Sequence, residues 1–474
     1  MSKDLTKTIF AKKPVEMIRK DAAKVTLCRT LRSTDLIAIG IGAIIGAGIF
    51  VVLGVGSHQA GPAITVSMLI AGITATFAAL CYSELSAMIP VAGSTYTYAY
   101  ATLGEVVAWI MGWDLMLAYT LGASTVAKGF TGYLLSIFEA FGIHLPRWLT
   151  HDPLSKTGGL IDVPAALLLV FLTCIVLLGI QESARITKAL VAIKLTVILM
   201  VIGLGIFCIN TSNWHPYFIQ GPAGILNAAG IMFFAFTGFE FVASTAEEAI
   251  NPQKDLPIGI LGSLGVCAIL YVAMGAVLTG MVYFINIDLI SPISSAFQNV
   301  NMDFVSVIIS LGALTGFISV SMSFLITLPR LLMAMARDGL LPQWISEIHP
   351  QFKTPLKTTT IAGFTMISLA AFLPIENLID LTVLGELLAF TLVCGGVLIL
   401  RWKQPLLVRP FRCPYVPWIP ALGVVSCLGL MLQMPINAWI WLITWVILGL
   451  GIYCIYGSKN SNLRSLERSI EPSD

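Results

Sequence analysis

The sequence predicts an all-α polytopic membrane protein, and three observations carry that expectation. Apolar runs of about 20 residues recur along the whole chain, the length that crosses a hydrocarbon core of ~30 Å. Charged residues make up 11% of the 474 positions against 57% hydrophobic ones, with mean hydropathy +0.89, whereas soluble domains carry roughly 25% charged residues. Two apolar runs far apart in the chain, Ile41 to Phe50 and Phe233 to Glu240, are interrupted by small residues at mid-span.

In chain order the first element is a tail, residues 1–33, rich in base: Lys3, Lys7, Lys12, Lys13, Arg19, Lys20, Lys24, Arg29 and Arg32. Its alternative reading is an amphipathic lipid-binding segment. No cleavable signal peptide is expected, because a full-length span follows the basic tail. About twelve spans then follow, near 34–57, 63–89, 104–136, 162–180, 185–209, 222–246, 257–284, 304–336, 358–374, 381–401, 416–435 and 438–457. Each meets the length and hydropathy criteria for a transmembrane helix. Several exceed 25 residues, which predicts tilt or protrusion.

The loops after even-numbered spans hold Arg185, Lys188, Lys254, Arg330, Arg337, Lys353, Lys357, Arg401, Lys403, Arg409 and Arg412. The opposite face holds Arg147 and Lys156. Cytoplasmic loops collect lysine and arginine, so both termini are expected in the cytoplasm; the membrane itself is expected to be the plasma (bacterial inner) membrane. The stretch 458–474, rich in Ser, Arg and Glu, reads as a disordered cytoplasmic tail.

The interruptions fall in the first and sixth spans, each followed by four unbroken ones. That pattern predicts a five-plus-five inverted repeat, 34–209 and 222–401, with two additional helices in 416–457. In lipid every backbone N–H and C=O must be satisfied internally, so a break is tolerated only where freed groups line a cavity or bind something. Gly46 and Gly48 flank Ala47, removing bulk and freeing the backbone. A half-helix starting near Ile49 presents N–H groups with a partial charge of about +0.5, suited to a carboxylate. One ending near Ile45 presents carbonyls suited to an ammonium or a cation. In the second break Ala235, Thr237 and Gly238 interrupt a Phe-rich run whose carbonyls complete an ammonium site. A zwitterion such as an α-amino acid fits both ends. Gly42-x-x-x-Gly46 is also a helix-packing motif. Gly40-x-Gly42 is not a dinucleotide loop, since no strand precedes it.

Lys194 lies well inside the fifth span, where a charged lysine costs at least ~3 kcal/mol without a partner or a role. It is read as a proton-coupling group, the alternative being a permanently paired or snorkelling structural lysine. Glu84 and Asp114, nearer the cytoplasmic ends, are expected to pair with loop bases. Lys128, late in the third span, is expected to snorkel outward. Glu386 lies in the tenth span, a candidate gate helix. Glu240, Glu247 and Glu248 are expected to form cytoplasmic gate pairs with Arg185 or Arg337.

No catalytic set, metal cluster or cofactor motif stands out, so no enzyme activity and no cofactor is expected. The net charge of +2 is too small to suggest nucleic-acid binding, and nine cysteines without Cys-x-x-Cys spacing read as packing residues.

The chain resembles the amino acid–polyamine–organocation transporters, and within them the cationic amino acid transporter branch. The matching stretches are Asp35 through Phe50, Ala60-Gly61-Pro62-Ala63, Ala79 through Glu84, Pro90 through Ser94 and Trp109 through Asp114. Phe233 to Glu240, Glu247-Glu248, Asn251 through Pro257, Ala336-Arg337-Asp338-Gly339 and Arg409-Pro410-Phe411-Arg412 complete the set. The resemblance implies the inverted-repeat fold shared with the neurotransmitter:sodium symporter group, and amino-acid uptake driven by a proton gradient. It implies pocket positions at Ile44, Gly46, Ala47, Gly48, Ala118, Tyr119, Phe234, Ala235 and Thr237, and a contact from Lys194 to the unwound first helix.

Relatives often carry Thr where this chain has Ala47, an aliphatic residue where it has Thr237, and Glu where it has Ala118. The eighth span's Thr327-Leu328-Pro329-Arg330 is closer to other branches. Without a carboxylate at Ala118, a neutral or small amino acid is expected rather than arginine or lysine. The expectation is therefore proton-coupled import by alternating access, with lipid, proton and amino acid as partners. The alternatives are an amino-acid or polyamine exchanger, a cationic amino acid transporter, and a sensor that binds without translocating.

Overall fold

The computed structural model of the chain describes residues 12–14, 18, 29–91, 94–154, 158–179, 184–350 and 354–464. Among the described residues all regular elements are helical, apart from one parallel bridge between Leu31 and Ala249. Among the described residues eight helical stretches are long and apolar enough to cross a membrane: Gly48–Met88, Glu105–Ala140, Thr187–Ile206, Gly221–Ser244, Pro252–Met281, Asp303–Arg337, Ile375–Lys403 and Ile436–Arg464. Four shorter apolar helices stand among them, Ser33–Ile44, Val163–Leu177, Leu356–Phe372 and Trp418–Met431.

We number the main helices α1 Ser33–Ile44, α2 Leu53–Ala60, α3 Ile64–Met88, α4 Ser94–Thr102, α5 Glu105–Ala140 and α6 Val163–Leu177. There follow α7 Ala184–Ile206, α8 Gly221–Met232, α9 Phe241–Ser244, α10 Pro252–Met281, α11 Pro292–Asn299 and α12 Asp303–Arg337. The last four are α13 Leu356–Phe372, α14 Ile375–Lys403, α15 Trp418–Met431 and α16 Ile436–Ile452. Local chemistry sets many of their ends. Proline lies in the first turn of α6, α8, α10 and α11, where no helical N–H is lost. The Asp162 carboxylate caps α6 by accepting from Ala165 N–H at 3.2 Å.

The helices pack as a bundle with α5 and α12 at its centre. α3 packs on α10, α5 on α12 and α6 on α13. α1 leans on α10 and α8 on α3; α7 packs on α12 and α14 on α5. Large apolar side chains such as Leu69, Ile73, Phe171, Leu199, Ile269, Phe364, Val425 and Ile447 are exposed. A soluble surface rarely presents so much apolar area, and lipid is the solvent that makes it favourable.

Buried charge is paired according to which loop lies within reach. Glu84, fully buried on α3, accepts from Arg401 at 2.7 and 3.0 Å, from Arg409 at 3.1 Å and from Cys413 N–H at 2.7 Å. This is the pairing with loop bases expected from the sequence. It ties α3, α14 and the segment before α15 together. Replacing Glu84 with alanine leaves Arg409 buried without its counter-charge, a loss of about 3–5 kcal/mol. The expected result is a lower thermal unfolding midpoint in detergent at a fixed scan rate.

Four expectations need correction. Lys128 does not snorkel: it is 6% exposed and bonds Asp152 at 2.9 Å, with Asp162 at 3.6 Å. Those acids arrive from the connection into α6 and supply the charge that lipid headgroups would otherwise provide. Among the described residues Asp114 meets no loop base, and neither of its oxygens has a hydrogen-bond partner. Glu248 lies 3.9 Å from Arg330 rather than against Arg337. Residues 458–464 are not disordered: Ser461 bonds Glu105, and Arg464 reaches the same carboxylate at 3.0 Å. Most of the 1–33 tail, the Arg185 side chain, Lys156, Lys353 and 465–474 lie outside the described residues.

Candidate functional site

Both interruptions are real breaks in the helices. α1 ends at Ile44; Ile45 is extended at ψ 101°, and winding resumes as a wide turn over Gly48–Val52 before α2. α8 ends at Met232 and tightens over Phe233–Phe236; Thr237 is extended at ψ 154° and Gly238 sits at φ +113°. That φ favours glycine, because a Cβ there is strained.

The two breaks touch each other. A Cβ on Gly48 would lie 2.3 Å from Ala235 Cα, and one on Gly238 would lie 2.8 Å from the Ala43 carbonyl oxygen. Glycine at 48 thus serves close backbone approach. Gly46 meets α12 instead, where a Cβ would fall 2.7 Å from Val320 Cγ2.

Lys194, fully buried on α7, closes the end of α1. Its ammonium donates to the carbonyls of Gly42 at 2.8 Å and Ile45 at 3.0 Å, and to Ser319 Oγ on α12. Ser319 also donates to Gly42 at 3.1 Å. A helix C-terminus is the partial negative pole of the backbone, so a cation there is favoured. Tyr271 on α10 donates to the Ile44 carbonyl at 3.0 Å, while its ring packs on Phe236 of the second break at 5.4 Å. Tyr133 donates to the Phe50 carbonyl at 2.6 Å.

The expected pocket positions divide into two groups. Ile44, Gly46, Ala47, Gly48, Phe234, Ala235 and Thr237 lie in or beside the two breaks, and all are buried. The carbonyl of Ile44 already accepts from Tyr271, and that of Phe234 accepts from Thr237 Oγ1 at 2.9 Å. The Ile44 carbonyl has a second lone pair for a ligand; that of Phe234 also accepts from Thr237 N–H at 3.4 Å, so a ligand there replaces the longer of its two bonds. Tyr119 joins the half-helix after the second break, its ring packing on Phe241 at 5.3 Å and Phe324 at 5.8 Å. Ala118 faces α14, 3.2 Å from where a Cβ on Gly385 would stand. Ser319 and Tyr271 were not singled out by the sequence reading; mid-span hydroxyls in apolar runs are the signal that pointed to them.

Chemically the arrangement holds backbone carbonyls, N–H ends and one lysine around two interrupted helices.

An amino acid permease family model matches residues 31–458. The chain is 41% identical over 460 residues to the branched-chain amino acid permease BcaP of Bacillus subtilis (strain 168), covering 96% of this chain and 99% of that protein. It is 40% identical over 457 residues to the methylthioribose transporter of the same organism, covering 96% and 99%. It is 39% identical over 398 residues to the vacuolar cationic amino acid transporter 4 of Arabidopsis thaliana, covering 82% and 66%. With a family match along nearly the whole chain and breaks where the motifs lie, the chain belongs to the amino acid permease family of the amino acid–polyamine–organocation superfamily.

Proposed function

We propose that the protein imports a neutral amino acid across the plasma membrane by alternating access, coupled to protons. The observation that carries this is the Lys194 ammonium fastened to the Gly42 and Ile45 carbonyls at the first break. A protonated Lys194 holds α1 against α7 and α12. A neutral lysine donates fewer hydrogen bonds and releases it. The substrate carboxylate takes the N–H groups at Ala47 and Gly48, and the amino group takes the carbonyls of Ile44, Phe234 and Thr237, with Phe234 as a gating wall. Ala47 and Ala118 bring no charge to the side-chain end, which suits an uncharged side chain.

The packing supports twelve crossings arranged as an inverted repeat, with α1–α2 and α8–α9 each read as one interrupted crossing. Moving every crossing five places on maps α1 on α10 to α8 on α3, α7 on α12 to α14 on α5, and α6 on α12 to α13 on α5. Both members of each pair are present, and α3, α5 and α6 each pack on their own counterparts. The repeats are 34–209 and 222–401, with both termini on the cytoplasmic side.

Two relatives point to different neutral cargoes, one named for branched-chain amino acids and one for methylthioribose. Uptake of labelled L-isoleucine into proteoliposomes, competed by each of the twenty amino acids and by methylthioribose at two external pH values, separates them. The expected result is competition by Ile, Leu, Val or Ala, stronger uptake with acid outside, and little competition by Arg or Lys. Uptake that requires internal substrate and ignores pH would identify an exchanger. Saturable binding without counterflow would identify a sensor.

A further inference from the structure

Three carboxyl groups beyond the substrate positions are left over: Asp114 on α5, Glu240 just after the second break, and Glu386 on α14. All are buried, at 0%, 1% and 0% exposure. Neither oxygen of Asp114, neither oxygen of Glu386, nor Oε1 of Glu240 has a hydrogen-bond partner. Among the described residues no ion pair reaches any of them.

They converge on one place. Gly385 lets α14 close on α5, since a Cβ there would lie 3.1 Å from Asp114 Oδ1. Phe239, beside Glu240, stacks on Phe390, one turn beyond Glu386, with centroids 5.0 Å apart. Glu386, between these two contacts, therefore lies within electrostatic reach of the carboxyls of Glu240 and Asp114. Among the described residues, Tyr119 from α5 lies within electrostatic reach of Glu240 and Glu386, and Tyr82 from α3 lies beyond it. Three ionised carboxylates cannot share a dry interior with no base, because unpaired buried charge is costly and like charges repel. The resident partner that removes the charge is a proton.

The cluster is also wired to the second break. Glu240 Oε2 accepts the N–H of Gly238 at 2.9 Å, and Gly238 presses on Ala43 of α1. A charged acceptor holds that N–H more strongly than a neutral one.

We propose that Asp114, Glu240 and Glu386 form a proton-carrying site beside the substrate cradle, coupled to the second break through Gly238. This deepens the proton-coupled reading and rests on it. In the sealed state the cluster holds its protons. When α9 and α14 part and water enters from the cytoplasm, an O–H bond of one carboxyl breaks, the proton passes to water and the carboxylate remains hydrated. Resealing needs a new O–H bond formed with a proton taken up from the outside. Each cycle moves one proton and changes no oxidation state.

The test uses the full chain in proteoliposomes with labelled L-isoleucine as probe. The wild type is expected to accumulate isoleucine under an acid-outside gradient. E386Q and D114N are expected to lose at least tenfold of that accumulation, while counterflow, which needs no net proton movement, persists within about threefold. In wild-type protein the infrared carbonyl band of buried carboxylic acids is expected to change on isoleucine addition. That measurement stands even if a variant fails to fold. A wild type indifferent to the pH gradient overturns the proton-coupled reading as a whole. A gradient-driven wild type with equally gradient-driven E386Q and D114N overturns the cluster alone. So does the lack of any buried-acid band, or accumulation that follows sodium when choline replaces it.

Discussion

Lys194→Ala is expected to abolish acid-stimulated accumulation and to lower the unfolding midpoint. The wild-type ammonium satisfies two carbonyls at the end of α1 and orients Ser319. Ser319 still donates to Gly42 in the variant, so the loss falls mainly on Ile45, the residue that opens the break. A buried acceptor without a donor costs about 1–3 kcal/mol. The helix end is also left with its partial negative charge uncompensated in a fully buried region. Lys194→Met separates the two effects, since it fills the space without supplying a charge. It should recover only the packing share of the lost stability, since the Ile45 carbonyl still lacks a donor, and none of the pH response. Initial rates of labelled isoleucine uptake at two external pH values, together with a thermal scan, read both. Undiminished pH-dependent accumulation by Lys194→Ala would remove Lys194 from the coupling mechanism.

Gly48→Val should reduce uptake by about 100-fold, because displacements near 1 Å at a positioned site cost that much. The first atom a side chain meets there is Ala235 Cα, at 2.3 Å. Backbone cannot rotate away as a side-chain tip can, so the two broken segments must separate. The N–H groups of the first break and the carbonyls of the second then no longer converge on one ligand. Gly203→Ala on α7 is the control, since nothing lies within 4 Å of a Cβ there. Normal uptake by Gly48→Val with folded, inserted protein would show that contact between the breaks is not needed for transport.

Much of this site could be read in the chain. A helix in lipid cannot shed its hydrogen bonds cheaply, so Gly46, Gly48 and Gly238 in apolar runs announce breaks by composition alone. Lys194 announces itself by the cost of placing charge in a membrane. Glu84 paired as expected, because Arg401 in the last turn of α14 and Arg409 in the segment after it come within its reach. Lys128 and Asp114 were misread for one reason: closeness to a span end says nothing about which neighbour arrives there. Asp152 and Asp162 come to Lys128 from the next connection, whereas Gly385 brings α14, and no base, to Asp114. The end of the chain was misread because composition cannot reveal that Ser461 and Arg464 find Glu105, more than 350 residues earlier.

By itself the sequence determined the membrane class, the positions of the two breaks and the buried lysine. Each is a local property, a sum of transfer energies or a lost helical bond counted over one segment. Only the tertiary structure decided that the breaks touch, that Ser319 and Tyr271 serve the first of them, and that the buried carboxyls of Asp114, Glu240 and Glu386 lie near one another without a base. Those facts depend on residues between 125 and 277 positions apart being brought within bonding distance, and hydropathy carries no information about such pairings.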